Sequence, residues 1–212
     1  MAKNFQYRYR DGSNVFFTSD THFRHDNIIR FCQRPFENVE EMNEKLIENW
    51  NAKVPEDGLV FHLGDFAWGG YQDWKAVRER LNGEIVLIKG NHDFKNGPQN
   101  EFEASRLFKF VTPQLHIEIE NRAVILNHFP FLCYGGTYRA ESNVVYQLFG
   151  HVHSGPNAEH GLDVKRLAHL FPTQYDVGVD NNNFTPVSWH EVDAIIKEQI
   201  KKTKEIKNGE TE

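Results

Sequence analysis

Five apolar runs in this chain end in side chains that can bind a metal or move a proton. "FFTSDTH" closes on Asp20 and His22, "VFHLGD" on Asp65 and "IVLIKGNHD" on Asn91, His92 and Asp93. "AVILNH" closes on His128 and "YQLFGHVH" on His151 and His153. Burying such groups without partners would cost roughly 2–7 kcal/mol each, so the pattern implies that something satisfies them. Imidazole nitrogens mixed with carboxylate oxygens suit manganese, iron, zinc or related ions rather than a pure calcium or magnesium site. Asp20, His22, Asp65, Asn91, His128, His151 and His153 make seven candidate ligands. That is too many for one ion, but two ions sharing a carboxylate would use them all. Residues at i and i+2 of an extended chain point the same way. Asp20 is therefore expected to converge with His22, and His151 with His153. Glycines at 64, 90 and 150 allow the chain to bend at these ends.

The elements that must position these groups show in the hydrophobic periodicity. Residues 15–20, 59–65 and 84–90 read as buried strands, separated by helices over 38–50 and 71–81. Asn38 and Glu41 have capping-box spacing, and Val39, Met42, Leu46 and Trp50 fall on one helical face. These alternations describe βαβ units and a largely parallel start to a sheet. Asn121 then separates two runs that suggest a hairpin, and further strands are expected in 144–151, 175–180 and 185–189, with a short helix near 140–144. A helix is expected from Trp189 to Lys201, with a capping box of Ser188 and Glu191. Residues 154–174 read as a long loop with one helical turn. The expected organisation is a single domain over 1–203 and a polar, frayed tail over 204–212.

At 212 residues the chain is long enough to bury a core without staples, and its net charge of -6 gives no basic face for long nucleic acid. The two cysteines, Cys32 and Cys133, form no CxxC pair and read as free, mostly buried thiols of a reducing compartment. "MAKNFQYRYRDGSN" has charge but no apolar core of a signal peptide, and no run approaches the roughly 20 apolar residues of a membrane helix. A cytoplasmic protein without membrane association is expected.

"DTH", "GD", "GNHD", "NH" followed by "FP", and "GHVH" occur in that order. Together they resemble the calcineurin-like metallophosphoesterases, and "DVGVD" with "PVSW" is similar to small bacterial or phage members. The resemblance implies an α/β fold of two packed β-sheets flanked by helices. It also implies two divalent ions, one held by Asp20, His22, Asp65 and His153, the other by Asp65, Asn91, His128 and His151. Manganese is the favoured ion, with iron, zinc or nickel as alternatives. His92 would be the catalytic acid and Asp93 its orienting partner. Such a centre would hydrolyse a phosphoester with a hydroxide held between the ions. The expected partner is a small phosphoester. Arg24 and Arg139 could grip its phosphate, while His25 and Asn27 either line the pocket or cap a helix. Trp68, Tyr134 and Tyr138 read as core or rim packing, and His62, His116, His160, His169 and His190 as structural or solvated. The protein phosphatase branch usually reads "GDxVDRG" and "GNHE"; here the text is "GDFAWGG" and "GNHD". A small phosphodiester such as a nucleotide is therefore favoured over a monoester or phosphoprotein. A non-catalytic scaffold is disfavoured because every expected ligand is present.

Overall fold

The computed structural model describes residues 7–93, 95, 101–136, 144–156, 165 and 167–209. In chain order the elements are β1 (Tyr7–Tyr9), β2 (Val15–Thr18), α1 (Asp26–Phe31), α2 (Val39–Lys53), β3 (Leu59–His62), α3 (Tyr71–Arg78), β4 (Glu84–Ile88), α4 (Glu101–Ser105), β5 (Phe110–Thr112), β6 (Gln114–Ile119), β7 (Arg122–Asn127), β8 (Tyr146–Phe149), β9 (Gln174–Asp176), β10 (Val187–Ser188) and α5 (Trp189–Gly209).

The strands form two five-stranded sheets, ordered β10-β2-β3-β4-β5 and β1-β6-β7-β8-β9. In the first sheet β2 to β5 are parallel and β10 is antiparallel to β2. In the second, β6 and β7 form an antiparallel pair and the other neighbours are parallel. Side-chain alternation along the strands separates two cores. Val15, Phe17, Phe61, Val86 and Ile88 face the second sheet, meeting Ile117, Val124, Leu126, Tyr146 and Leu148. Phe16, Val60, Ile85 and Leu87 face the other way, onto Met42, Leu46 and Trp50 of α2 and Trp74 and Val77 of α3. Burial on both faces explains why Ile85 to Ile88 of β4 are apolar without interruption. The helix α5 sets Trp189, Val192 and Ile196 against the inter-sheet core. The result is the expected α/β sandwich of two packed sheets flanked by helices.

Element ends differ from expectation at α2 and α5. Asn38 Oδ1 caps α2 by accepting from the Glu41 N–H at 2.9 Å, but the Glu41 carboxylate reaches back to the N–H of Glu37, not of Asn38. Ser188 and Glu191 do form the reciprocal box, each side chain accepting from the other's backbone N–H. The terminal helix continues past Lys201 to Gly209, so most of the tail expected to be frayed is helical. Ion pairs Asp193–Lys197, Glu198–Lys202 and Lys201–Glu205 run along it at helical spacing and favour that extension. The helix expected near 140–144 falls almost wholly outside the described residues. Among the described residues no helix is long and apolar enough to cross a membrane.

Candidate metal centre

The parallel strands β2, β3 and β4 of one sheet, and β7 and β8 of the other, deliver their carboxyl ends to one place. The strands themselves stop short of the polar groups. Asp20, His22, Asp65, His151 and His153 all lie in the left-handed region, with φ of 57°, 49°, 56°, 72° and 46°. This corrects the extended i, i+2 geometry expected for the Asp20–His22 and His151–His153 pairs, which lie in tight turns beyond the strands. Each such residue costs of the order of 1–2 kcal/mol, so the surroundings must hold it. Backbone N–H groups of Asp20, His22 and Phe23 donate to the carbonyls of Gly64, Asp65 and Phe66, continuing the β2–β3 pairing as loop against loop. The fully buried Arg34 side chain donates to the carbonyls of Asp20 (2.6 Å) and Thr21 (3.0 Å). Asp20 Oδ2 accepts from the His151 N–H at 2.9 Å, which ties one sheet's loops to the other's.

Three imidazoles share one arrangement. The Nδ1 of His128 donates to the Leu63 carbonyl (2.7 Å), that of His153 to Asp180 (2.8 Å), and that of His22 pairs with His25 Nδ1 (3.3 Å). Each Nε2 is left facing a carboxylate: His22 and His128 lie 3.6 and 3.5 Å from Asp65 Oδ2, and His153 lies 4.0 Å from Asp20 Oδ1. These separations exceed a hydrogen bond. They approach the roughly 3–3.5 Å expected between neighbouring donors on an ion with bonds of about 2.1 Å. Asp20, His22 and His153 form one donor group and Asp20, Asp65 and His128 a second. Asp65 Oδ2 stands between His22 and His128, where a shared ligand belongs, while Oδ1 accepts the His92 N–H at 2.8 Å. Asn91 Oδ1 lies 2.9 Å from His128 Nε2. The His151 ring packs 5.1 Å from the His128 ring, at the edge of the second group.

Burial drives the His22 imidazole well below its ordinary pKa, leaving it neutral with a lone pair to offer. Burial also opposes protonation of His128, but the adjacent Asp65 carboxylate, the charge of Asp20 and the bond to the Leu63 carbonyl win and lift it to about 9. A proton there takes the position a cation would fill. Asp180 is pushed up by burial but held down at about 2 by Arg34, which it binds through both oxygens at 2.8 Å, and by His153. That carboxylate fixes which nitrogen of His153 carries the proton.

The other sequence candidates fall in different places. His92 is half-buried, its ring 5.6 Å from His22 and 6.2 Å from Trp68. Asp93 is buried, and its oxygens accept the N–H groups of Asp65, Phe66 and Gly90, so it fixes the loops around His92 through the backbone. His25 occupies the N-cap position of α1 but makes no side-chain cap bond, and its ring stacks on Trp68 at 4.3 Å. The same ring lies 5.2 Å from that of His22. Asn27 is exposed on the first turn of α1. Arg24 is paired with Asp73 at 2.8 Å. Arg139 lies outside the described residues. His62 is structural: Nδ1 accepts from the Gly64 N–H and Nε2 bonds Thr21 Oγ1. Cys133 is exposed, contrary to expectation, and Cys32 stands beside His153 and Asp180. Arg34 and Asp180 were missed as site residues; only the carboxylate ending "DVGVD" signalled the latter.

The donor set fits a pair of divalent transition-metal ions. Asp20 Oδ1 and His22 Nε2 are buried and have no hydrogen-bond partner, which is the condition of atoms meant for a cation. Two face-packed sheets with a mixed carboxylate–imidazole centre at their strand ends define an α/β-sandwich metallohydrolase. The chain belongs to the calcineurin-like phosphoesterase family, whose sequence model matches residues 13–193. It is 53% identical over 81 residues to the uncharacterized protein MJ1445 of Methanocaldococcus jannaschii, a stretch covering 37% of this chain and only 46% of the archaeal protein. It is 28% identical over 206 residues to the Gene 66 protein of Mycobacterium phage D29, covering 85% of this chain and 91% of the phage protein. In fold it is similar to the crystal structure of AQ665, a protein of unknown function from Aquifex aeolicus, with a TM-score of 0.61, 24% identity and coverage of 85% and 98%.

Proposed function

We propose that this protein hydrolyses a small phosphodiester, such as a nucleotide, with two divalent transition-metal ions. Asp20, His22, Asp65 and His153 would hold one, and Asp65, Asn91, His128 and His151 the other, with manganese favoured and iron, zinc or nickel able to substitute. The observation that carries this reading is the shared arrangement of His22, His128 and His153, whose Nδ1 atoms are engaged while each Nε2 faces Asp20 or Asp65. When bound, such ions supply Lewis acidity and an activated water. His92, whose backbone N–H is held by Asp65, would protonate the departing ester oxygen, a task suited to imidazole. Asp93 keeps that loop in register. A diester is favoured because Arg24 and Arg34 are already engaged with Asp73 and Asp180, and a diester has one charge fewer to neutralise than a monoester. The free thiols Cys32 and Cys133 agree with a reducing, cytoplasmic setting.

Chelation with EDTA followed by rescue with one metal at a time tests the reading. Manganese is expected to restore hydrolysis of bis(4-nitrophenyl) phosphate well above that of 4-nitrophenyl phosphate. A strong monoester preference would reverse the substrate assignment, and activity indifferent to EDTA would end it.

A further inference from the structure

Exposed apolar surface on this protein gathers at the metal centre. Among the described residues five large apolar side chains are exposed: Phe31, Trp68, Phe129, Leu132 and Ile206. All but Ile206 rim the centre, in two pairs. Phe31 and Trp68 flank His25; Trp68 stacks on its ring and Phe31 meets it edge-on at 6.5 Å. His25 in turn lies 5.2 Å from the His22 ring, so this shelf belongs to the Asp20–His22–His153 end. Phe129 and Leu132 belong to the other end, where Phe129 sits 4.9 Å from the His128 ring and 4.6 Å from that of His151. With Val152, Leu167, Leu170 and the His151 ring they line a cavity of about 390 Å³. That is the size of a small-ligand pocket. Neither shelf is needed to hold a cation, and exposed apolar patches of this kind mark binding surfaces.

We propose that the substrate carries a flat apolar or aromatic group on each of its two ester oxygens. The leaving group would lie on the Phe31–Trp68 shelf and the retained group in the Phe129–Leu132 cavity. This rests on the phosphodiesterase reading and adds which groups the ester bears and which way round it binds. The direction follows from His92, whose ring is near Trp68. Water forms the new P–O bond and gives up one proton to solvent. The P–O bond to the shelf-side alcohol breaks, and its oxygen departs with the electron pair and takes a proton from His92. The monoester product keeps its group in the cavity. A diester of two small alcohols would leave both apolar surfaces wet.

The manganese-loaded protein is tested by calorimetric binding of dimethyl and diphenyl phosphate, and by turnover of methyl and phenyl 4-nitrophenyl phosphate. Diphenyl phosphate is expected to bind about tenfold tighter or better, and the phenyl diester to show a kcat/KM higher by about the same factor. In Leu132→Ser/Leu170→Ser that phenyl-to-methyl ratio should fall to near one. In Trp68→Ala both diesters should lose kcat/KM together, because both share the nitrophenyl leaving group. Leu132 is 77% exposed, so its replacement leaves the core intact. Equal binding of the two phosphates, or a ratio untouched in the double variant, would overturn the inference while metal-dependent hydrolysis stood. Tight diphenyl phosphate binding with no turnover under any metal would instead remove the hydrolytic reading and leave the shelves as a diester-binding surface.

Discussion

At His153 the choice of imidazole nitrogen is already made. Asp180 accepts from Nδ1, Arg34 grips both oxygens of Asp180, and Nε2 is left for a cation. Asp180→Asn keeps the size of the side chain but removes the charge that Arg34 and His153 share. Metal affinity is expected to drop about 10–100-fold, read by direct titration with manganese, with melting curves on the same samples to show that the fold survives. Unchanged affinity would reduce Asp180 to a strut for Arg34. His92 stands apart from the donor groups, so His92→Ala should keep its full metal content and lose about 10²–10⁴ in rate. Elemental analysis beside turnover separates those two quantities.

The segments just beyond the strands matter more than the strands themselves. Gly150 lies where a Cβ would run into the Asp20 carboxylate and the Ser19 side chain. Gly150→Ala should therefore displace Asp20 and abolish metal uptake while the far-ultraviolet spectrum, set by the sheets and helices, stays close to wild type. Retained stoichiometric binding would show that the loop has slack. At this scale the sequence was informative in a particular way. The apolar runs ending in Asp20, Asp65, Asn91, His128 and His151 located the strands and the side of the sheets where chemistry gathers, because burial and order are local signals. The left-handed turns were not legible: left-handed φ at residues such as Asp20 and His151 is fixed by partners distant in sequence, among them Gly64 and Arg34. Short elements such as β1, β5 and α1 also escaped, being too brief to show a period. The continuation of α5 beyond Lys201 went unread because its last turns carry charge pairs in place of an apolar stripe.

Across the whole molecule, acid is expected to weaken the fold through His62. Burial lowers its pKa from 6.5 to about 3, and its Nδ1 is committed to accepting from Gly64. Between those values the unfolded chain takes up a proton that the native chain refuses, so stability falls as pH drops from 6.5 toward 3, by of the order of 1.4 kcal/mol per unit. His62→Gln removes that titration. The stability gap between wild type and the variant, measured on metal-free protein by denaturant melts, should narrow from pH 7 to pH 4.5; parallel curves would acquit His62. The Arg34–Asp180 pair spans 146 positions of chain. A ribosome must therefore extrude the chain past residue 180 before His153 acquires its fixed tautomer, and a nascent fragment ending before that residue lacks the carboxylate that Arg34 and His153 share. Full cation affinity would thus await both that contact and the docking of the two sheets that joins Asp20 to His151.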